Sequence, residues 1–136
     1  MNLLYRLAAD LIVVVHFAYV AFVVVGLLAI FVGIALRWPW ARNLWLRSLH
    51  LLAIVIVVAE AVWGITCPLT TWEKQLRLLA GQANYRGDFI ASWVHDALFY
   101  DAQPWVFTVC YALFGLLVLA TFVLAPPRLP RRAAKR

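Results

Sequence analysis

The sequence predicts an all-α membrane protein with three transmembrane helices and one or two short interfacial helices on the outer face. Two observations predict this fold class. The 136 residues are 66% hydrophobic with a mean hydropathy of +0.89, whereas a soluble domain has about 45–50% apolar residues. Three long apolar segments also alternate with loops whose charges are sorted by sign.

The three apolar segments are each long enough to cross a bilayer. Residues 11–36 contain no Asp, Glu, Lys or Arg, and at about 1.5 Å per residue this helix exceeds the roughly 30 Å hydrocarbon core. It is too long for the apolar region of a cleaved signal peptide, so we expect a retained helix. Residues 49–66 contain Glu60, and residues 104–125 are uncharged before Pro126 and Pro127. We predict one polytopic domain over 1–125, followed by a disordered basic tail over 126–136.

The basic residues predict the orientation. Three arginines lie between the first two spans and five basic residues follow the third, so eight of the twelve Lys and Arg residues, and none of the six acids, lie on one side. Because basic residues in short flanking loops stay cytoplasmic, the N-terminus should lie outside and the C-terminus inside a bacterial inner membrane. The eight basic residues of that side then face the anionic headgroups of the bilayer, so the net charge of +6 does not lead us to expect a nucleic-acid partner.

The outer interfacial segment over 67–103 is too short to bury a core of its own. Thr70 and Glu73 have the spacing of a capping box, which predicts a helix from Thr71 to Ala80 with Thr70 as its cap. Glu73 and Arg77 are four residues apart and should form an ion pair. A second interfacial helix is expected from 88 to 100.

Two ionisable residues inside the spans need an explanation. His16 and Glu60 both fall about 9 Å below the outer boundary, on helices that run in opposite directions. They can form a proton-responsive or ligand-binding pair, or a hydrogen bond that fixes helix packing, and we favour packing. Gly64 and Cys67 follow Glu60 at helical spacing, so this face is expected to pack on the first helix.

The two cysteines, Cys67 and Cys110, allow a disulfide on an oxidising outer side, although a free structural thiol is preferred for Cys110. Cys67 could alternatively act as a nucleophile with His95 as its base. Asp96 is poorly placed to orient that base, because adjacent residues on a helix point about 100° apart.

The sequence leaves haem and a transition metal open as cofactors. His50 is expected at the inner boundary, a bilayer away from His16, so the two cannot share one haem. His16 and His95 could ligate haem, and these two histidines with Cys67 and a carboxylate could hold zinc. For each histidine, a packing or interfacial role competes with that of a ligand.

Several of these residues form a wider pattern. It consists of the run C-P-L-T-x-x-E-x-x-L-R at 67–77, together with His16, Gly26, the junction R-S-L-H at 47–50, Tyr85, Phe89, His95 and Tyr100. The pattern resembles that of domain-of-unknown-function family 2784, small bacterial inner-membrane proteins. The resemblance covers most of the chain except the tail, and it marks Cys67, Glu73, Arg77, His16, His50 and His95 as a signature. It implies no activity.

Three functional hypotheses follow. In the first, the protein is a non-enzymatic accessory or scaffold module with an outward-facing polar cluster formed by His16, Glu60, Cys67, Thr70, Glu73, Arg77 and His95. Because three helices bury little surface against one another, this module should associate with its own copies or with a larger membrane complex. The second is a haem- or metal-binding redox subunit using His16 and His95, and the third is an outward-facing thiol enzyme that uses Cys67.

Overall fold

The computed structural model describes residues 1–83, 92–93, 96–97 and 103–128. This part of the chain contains no strand, and its α-helices are α1 (Asn2–Ala35), α2 (Leu44–Trp63), α3 (Pro68–Leu79) and α4 (Pro104–Leu124). A 3-10 turn, Pro39–Arg42, joins α1 to α2. Helices α1, α2 and α4 are long and apolar enough to span a membrane, so the predicted fold class is confirmed.

Helix α1 is the scaffold of the fold. It has 34 residues, or about 50 Å at 1.5 Å per residue, and it begins well before the predicted span. Every seventh residue over part of its length, Ala9, His16, Val23 and Ile30, is buried, which is the seam expected of packed helices. Helix α2 packs along the C-terminal half of this seam and α3 along the N-terminal half.

The connection between α1 and α2 is a close hairpin. A Cβ on Gly33 would lie 2.5 Å from the Cβ of Ala41, so only glycine allows the turn to approach α1 this closely. Trp38 N–H donates to the Gly33 carbonyl at 2.7 Å as the chain leaves the helix. We call this end of the bundle, with the C-terminus of α4 beside it, the hairpin end.

Helix α2 begins and ends earlier than predicted. Its first residue is Leu44 rather than 49, because the Asn43 side chain caps the helix by accepting from the backbone of Trp45 and Leu46. It ends at Gly64, which has φ of 65° and closes the helix together with the Ile65 N–H to Glu60 carbonyl bond. The expectation that Gly64 packs on α1 was wrong, since its Cα faces open space.

Helix α3 starts at Pro68 with Cys67 as its N-cap, so the predicted capping box at Thr70 and Glu73 was wrong. Proline is favoured at the first helical position because it lacks only an N–H that has no intrahelical partner there. The earlier start moves Thr70 and Glu73 into the body of the helix, where both are buried against α1. We call the region around Gly64–Cys67, where α2 passes into α3 opposite the middle of α1, the junction end.

Helix α4 packs against α2. The apolar core that unites α1, α2 and α4 consists of Val23, Leu27, Ala53, Ile54 and Val118. It lies between the hairpin end and the junction end. The core therefore separates two groups of buried polar residues.

The second interfacial helix and the basic tail lie mostly outside the described residues. Within that segment, Ser92, Trp93, Asp96 and Ala97 are helical. The Trp93 ring lies 5.8 Å from the ring of Phe17, centroid to centroid. Trp93 is thus in contact with α1 near His16.

Candidate functional site

At the hairpin end, Arg47 is fully buried and ties α2 to α4. Its Nη2 donates to the Thr121 hydroxyl at 2.8 Å, its Nη1 donates to the Ala125 carbonyl, and its guanidinium lies 4.7 Å from the Phe122 ring centroid. The last carbonyls of a helix have no intrahelical donors, and a cation satisfies both their hydrogen bonds and the helix dipole. Arg47 is therefore a C-terminal cap of α4.

His50 has a similar role between α1 and α2. Its Nε2 lies 2.7 Å from the Val23 carbonyl, to which it must donate. A Cβ on Gly26 would stand 2.8 Å from the imidazole, so this glycine creates the space for the ring. Because α2 starts at Leu44, His50 lies well inside the span, about 10 Å along α1 from His16. The expectation that a bilayer separates them was wrong.

The junction end contains an ion-pair network on α3. Arg77 Nε donates to Glu73 Oε1 at 2.7 Å, which confirms the predicted pair, and Arg77 Nη2 lies 3.5 Å from Asp10 Oδ1 on α1. Glu73 is buried. The pair thus faces α1 rather than solvent.

His16 and Glu60 line one cavity at the junction end. Glu60 interacts with the Cys67 thiol through a side-chain hydrogen bond. Direct pairing of His16 with Glu60 stays a prediction.

The cavity has a volume of about 310 Å³ and is bounded by all four helices. This volume is at the lower end of the range for small-molecule pockets. Its lining is mainly apolar, and it includes the polar side chains of His16, Glu60, Cys67 and Thr70. The lining residues are His16, Tyr19, Val20, Val23, Val24, Ile54, Val57, Glu60, Ala61, Ile65, Cys67, Thr70, Cys110, Tyr111 and Phe114.

Thr70 is the polar lining residue whose burial and hydrogen bonding are most informative. Its side chain is fully buried, and its hydroxyl has no hydrogen-bond partner among the described residues. An unpaired buried hydroxyl costs about 1–3 kcal/mol. The neighbouring Thr71 differs, because it is exposed and donates to the Cys67 carbonyl at 3.3 Å.

Cys67 is not an activated thiol. Burial raises the pKa of the Cys67 thiol above its ordinary value, and this effect is opposed by the backbone amides of Leu69 and Thr70 and reinforced by the Glu60 carboxylate. Nucleophilic cysteines depend on the opposite shift, toward the thiolate. The thiol-enzyme hypothesis therefore gains no support from this environment.

Cys67 and Cys110 are both free thiols, although both border the cavity. The metal and haem hypothesis depends on His95, which lies outside the described residues. Within the described ranges no group of three or more His, Cys, Asp and Glu residues could hold a metal ion. Ligation by His16, His95 and Cys67 stays a prediction, which an absorption spectrum and metal analysis of the purified protein would test.

Sequence reasoning missed two residues that matter here. Tyr19 donates its hydroxyl to the Ala53 carbonyl at 2.6 Å and also lines the cavity. Thr121 accepts from Arg47. The available signal was a side-chain hydroxyl within an apolar helix, since a hydroxyl in hydrocarbon needs a partner.

Comparison with known sequences gives a family but no activity. Residues 6–127 match the profile of the family described as protein of unknown function (DUF2784). No curated protein and no solved structure shows a significant match. The match covers most of the chain, and the protein therefore belongs to the DUF2784 family.

Proposed function

We propose that the protein is a non-enzymatic membrane module that binds a neutral amphiphile in the junction-end cavity. The apolar chain of the ligand occupies the apolar part, and its hydroxyl or carbonyl head bonds to Thr70. The single observation that carries this proposal is the buried Thr70 hydroxyl without a partner in the described structure, on the wall of a cavity. A bound polar head would satisfy it.

The shape of the cavity supports a chain-bearing ligand. Its wall on α1 extends from His16 to Val24, which is about 12 Å along the helix axis. Most of this length is lined by valine and other apolar side chains, and Cys67 and Thr70 line the cavity where α2 passes into α3. One apolar chain with one polar head matches that distribution.

The charges of the lining favour a neutral head. Glu60 is the only formally charged side chain among the lining residues, and no Lys or Arg is among them. An anionic head would meet a carboxylate with no compensating cation and would lose its hydration. The protonated Cys67 thiol adds only a weak donor.

A photoactivatable long-chain alcohol tests this proposal on the detergent-purified full-length protein. Cross-links mapped by mass spectrometry should fall on cavity residues and should disappear with excess unlabelled alcohol. Thr70→Val should weaken this binding about fivefold, as expected for one hydrogen bond of about 1 kcal/mol. Thr71→Val is the matched control, because its hydroxyl bonds within α3 and should leave binding unchanged.

Two results would overturn the proposal. One is uniform cross-linking along lipid-facing residues such as Val123 and Leu124 with none in the cavity. The other is equal labelling of wild type, Thr70→Val and Ala61→Phe, since the last substitution places a large side chain in the cavity wall.

We also propose the orientation that the charge distribution favours, with the hairpin end at the cytoplasmic face of a bacterial inner membrane. The cavity would then open near the outer face. Reporter fusions at Arg136 should be active only with a cytoplasmic reporter. Activity of an exported reporter would reverse the placement of both ends.

A further inference from the structure

The hairpin end has a second cavity, which differs from the first in chemistry. It has a volume of about 800 Å³ and lies between the C-terminal ends of α1 and α4 and the 3-10 turn. Three arginines line it, Arg37, Arg42 and Arg128, with Ile34, Trp38 and Leu124 as apolar neighbours. We propose that this cavity binds the phosphate headgroup of an anionic phospholipid.

The arginines of this cavity have N–H donors that form no hydrogen bond with the described residues. Arg42 uses Nε and Nη2 to hold the Pro126 carbonyl at 3.2 and 3.0 Å, which fixes its guanidinium at the cavity wall. The side chains of Arg37 and Arg128 form no hydrogen bond or ion pair with the described residues. A guanidinium offers five N–H donors in a planar fork that matches phosphate oxygens.

No acidic residue competes for these arginines within the segments that build the cavity. Residues 33–47 and 121–128 contain no Asp or Glu. Three of the described acids, Asp10, Glu60 and Glu73, lie on the far side of the apolar core, at or beyond the junction end. The positive charge of the cavity is thus left for an external anion.

The cavity is held open by backbone bonds. The Arg128 N–H donates to the Arg42 carbonyl at 2.7 Å, and Asn43 and Arg128 form an isolated β-bridge. Arg37 has φ of 57°, a left-handed conformation that non-glycine residues rarely adopt. These constraints place the three arginines around one space before any ligand arrives.

The surroundings favour a lipid over a free anion. The cavity lies where two spanning helices end, and Trp38 and Trp40, with ring centroids 5.7 Å apart, are partly exposed beside it. Tryptophan pairs at helix ends mark the headgroup level of a bilayer. A phospholipid bound there can place its phosphate among the arginines and its acyl chains along Ile34 and Leu124.

Native mass spectrometry of the full-length protein tests this inference. The protein is released from micelles doped with equal amounts of phosphatidylglycerol and phosphatidylcholine, and the retained lipid is counted. Phosphatidylglycerol should be retained preferentially. The Arg37→Gln/Arg128→Gln double variant should lose about fivefold in affinity for each arginine, as expected for one juxtamembrane cation.

The control carries the same charge change at the other end of the molecule. Arg6→Gln/Lys74→Gln should retain phosphatidylglycerol as the wild type does, and circular dichroism should show that both double variants are folded. Should the Arg37→Gln/Arg128→Gln variant fail this check, the single variant Arg128→Gln takes its place with one fivefold loss expected.

Equal retention of the two lipids, or an equal loss in both double variants, would overturn the inference in favour of diffuse charge. Complete displacement of phosphatidylglycerol by millimolar inorganic phosphate would overturn it in favour of a free-anion site. Both results can be obtained whether or not the junction-end cavity binds an amphiphile, so the two proposals are tested separately.

Discussion

Both ends of the helix bundle bury polar side chains, but these side chains make different kinds of contact. Arg47 at the hairpin end donates to a main-chain carbonyl of α4, and His50, nearer the middle of the bundle, donates to one of α1. At the junction end, Glu73 pairs with Arg77, and Thr70, whose buried hydroxyl has no partner in the described structure, is part of a cavity wall. Bonds to carbonyls fix helix positions, whereas polar side chains around a space leave room for a ligand.

The two buried histidines show the difference most clearly. Both belong to the sequence pattern that suggested the family, and both are almost completely buried. His50 fits against Gly26 and has a carbonyl as its partner. His16 instead borders the junction-end cavity, which Glu60 also lines. Burial of a polar residue alone therefore does not separate structural from functional roles.

The largest expected effect is that of Arg47→Gln, which tests whether the hairpin end is structural. It removes charged hydrogen bonds to α4 and should lower the free energy of unfolding by about 3 kcal/mol. The free energy of unfolding of Arg47→Lys should fall between those of this variant and the wild type, since a lysine keeps the charge but not the planar set of guanidinium N–H donors. Thermal unfolding in detergent measures both.

Arg6→Gln serves as the control, because Arg6 is exposed on α1 and a surface substitution changes stability by about 0.5 kcal/mol or less. If Arg47→Gln lowered the free energy of unfolding no more than Arg6→Gln does, the proposed structural role of the hairpin end would be wrong.

Gly26→Ala tests the space for the His50 ring. The added Cβ would press on the imidazole at 2.8 Å, and overpacking of this kind costs about 2 kcal/mol. In the His50→Ala background the same substitution should cost much less, so a double-mutant cycle should show strong coupling. Additive losses would mean that Gly26 serves another contact.

Tyr19→Phe tests a residue that both joins α1 to α2 and lines the junction-end cavity. It removes the hydroxyl bond to the Ala53 carbonyl and should cost about 0.6 kcal/mol, the average for such bonds in membranes. Tyr5→Phe, near the N-terminus of α1, should be neutral in the same unfolding assay. A much larger loss for Tyr19→Phe would indicate that the hydroxyl also organises the junction end.

The smallest effect concerns Cys67 in a Cys110→Ser background. Because its pKa is raised, the thiol stays protonated at neutral pH, and the thiolate forms only as the pH rises through that higher value. Alkylation should therefore be slower than for free cysteine in the same detergent and should increase at a higher pH. Fast alkylation at pH 7 would revive the thiol-enzyme hypothesis.

The sequence predicted the spans well because long apolar runs leave no alternative to helices in a bilayer. It also predicted the Glu73–Arg77 pair, whose spacing is local. It misplaced the start of α3, because Pro68 and the capping-box residues Thr70 and Glu73 both signal a helix start, and packing against α1 decided between them. The bond from Arg47 to Thr121 joins residues 74 positions apart, which no local pattern encodes.

That separation has a consequence for how the protein is made. The guanidinium of Arg47 enters the growing chain long before the carbonyl and hydroxyl that will receive it, and until α4 is synthesised it has to remain among water and headgroups. The hairpin of α1 and α2 can insert early, but its final depth is reached only when the last helix arrives. Chains truncated before residue 121 would therefore retain a cation at the membrane without the hydroxyl and the carbonyl that receive it in the finished protein.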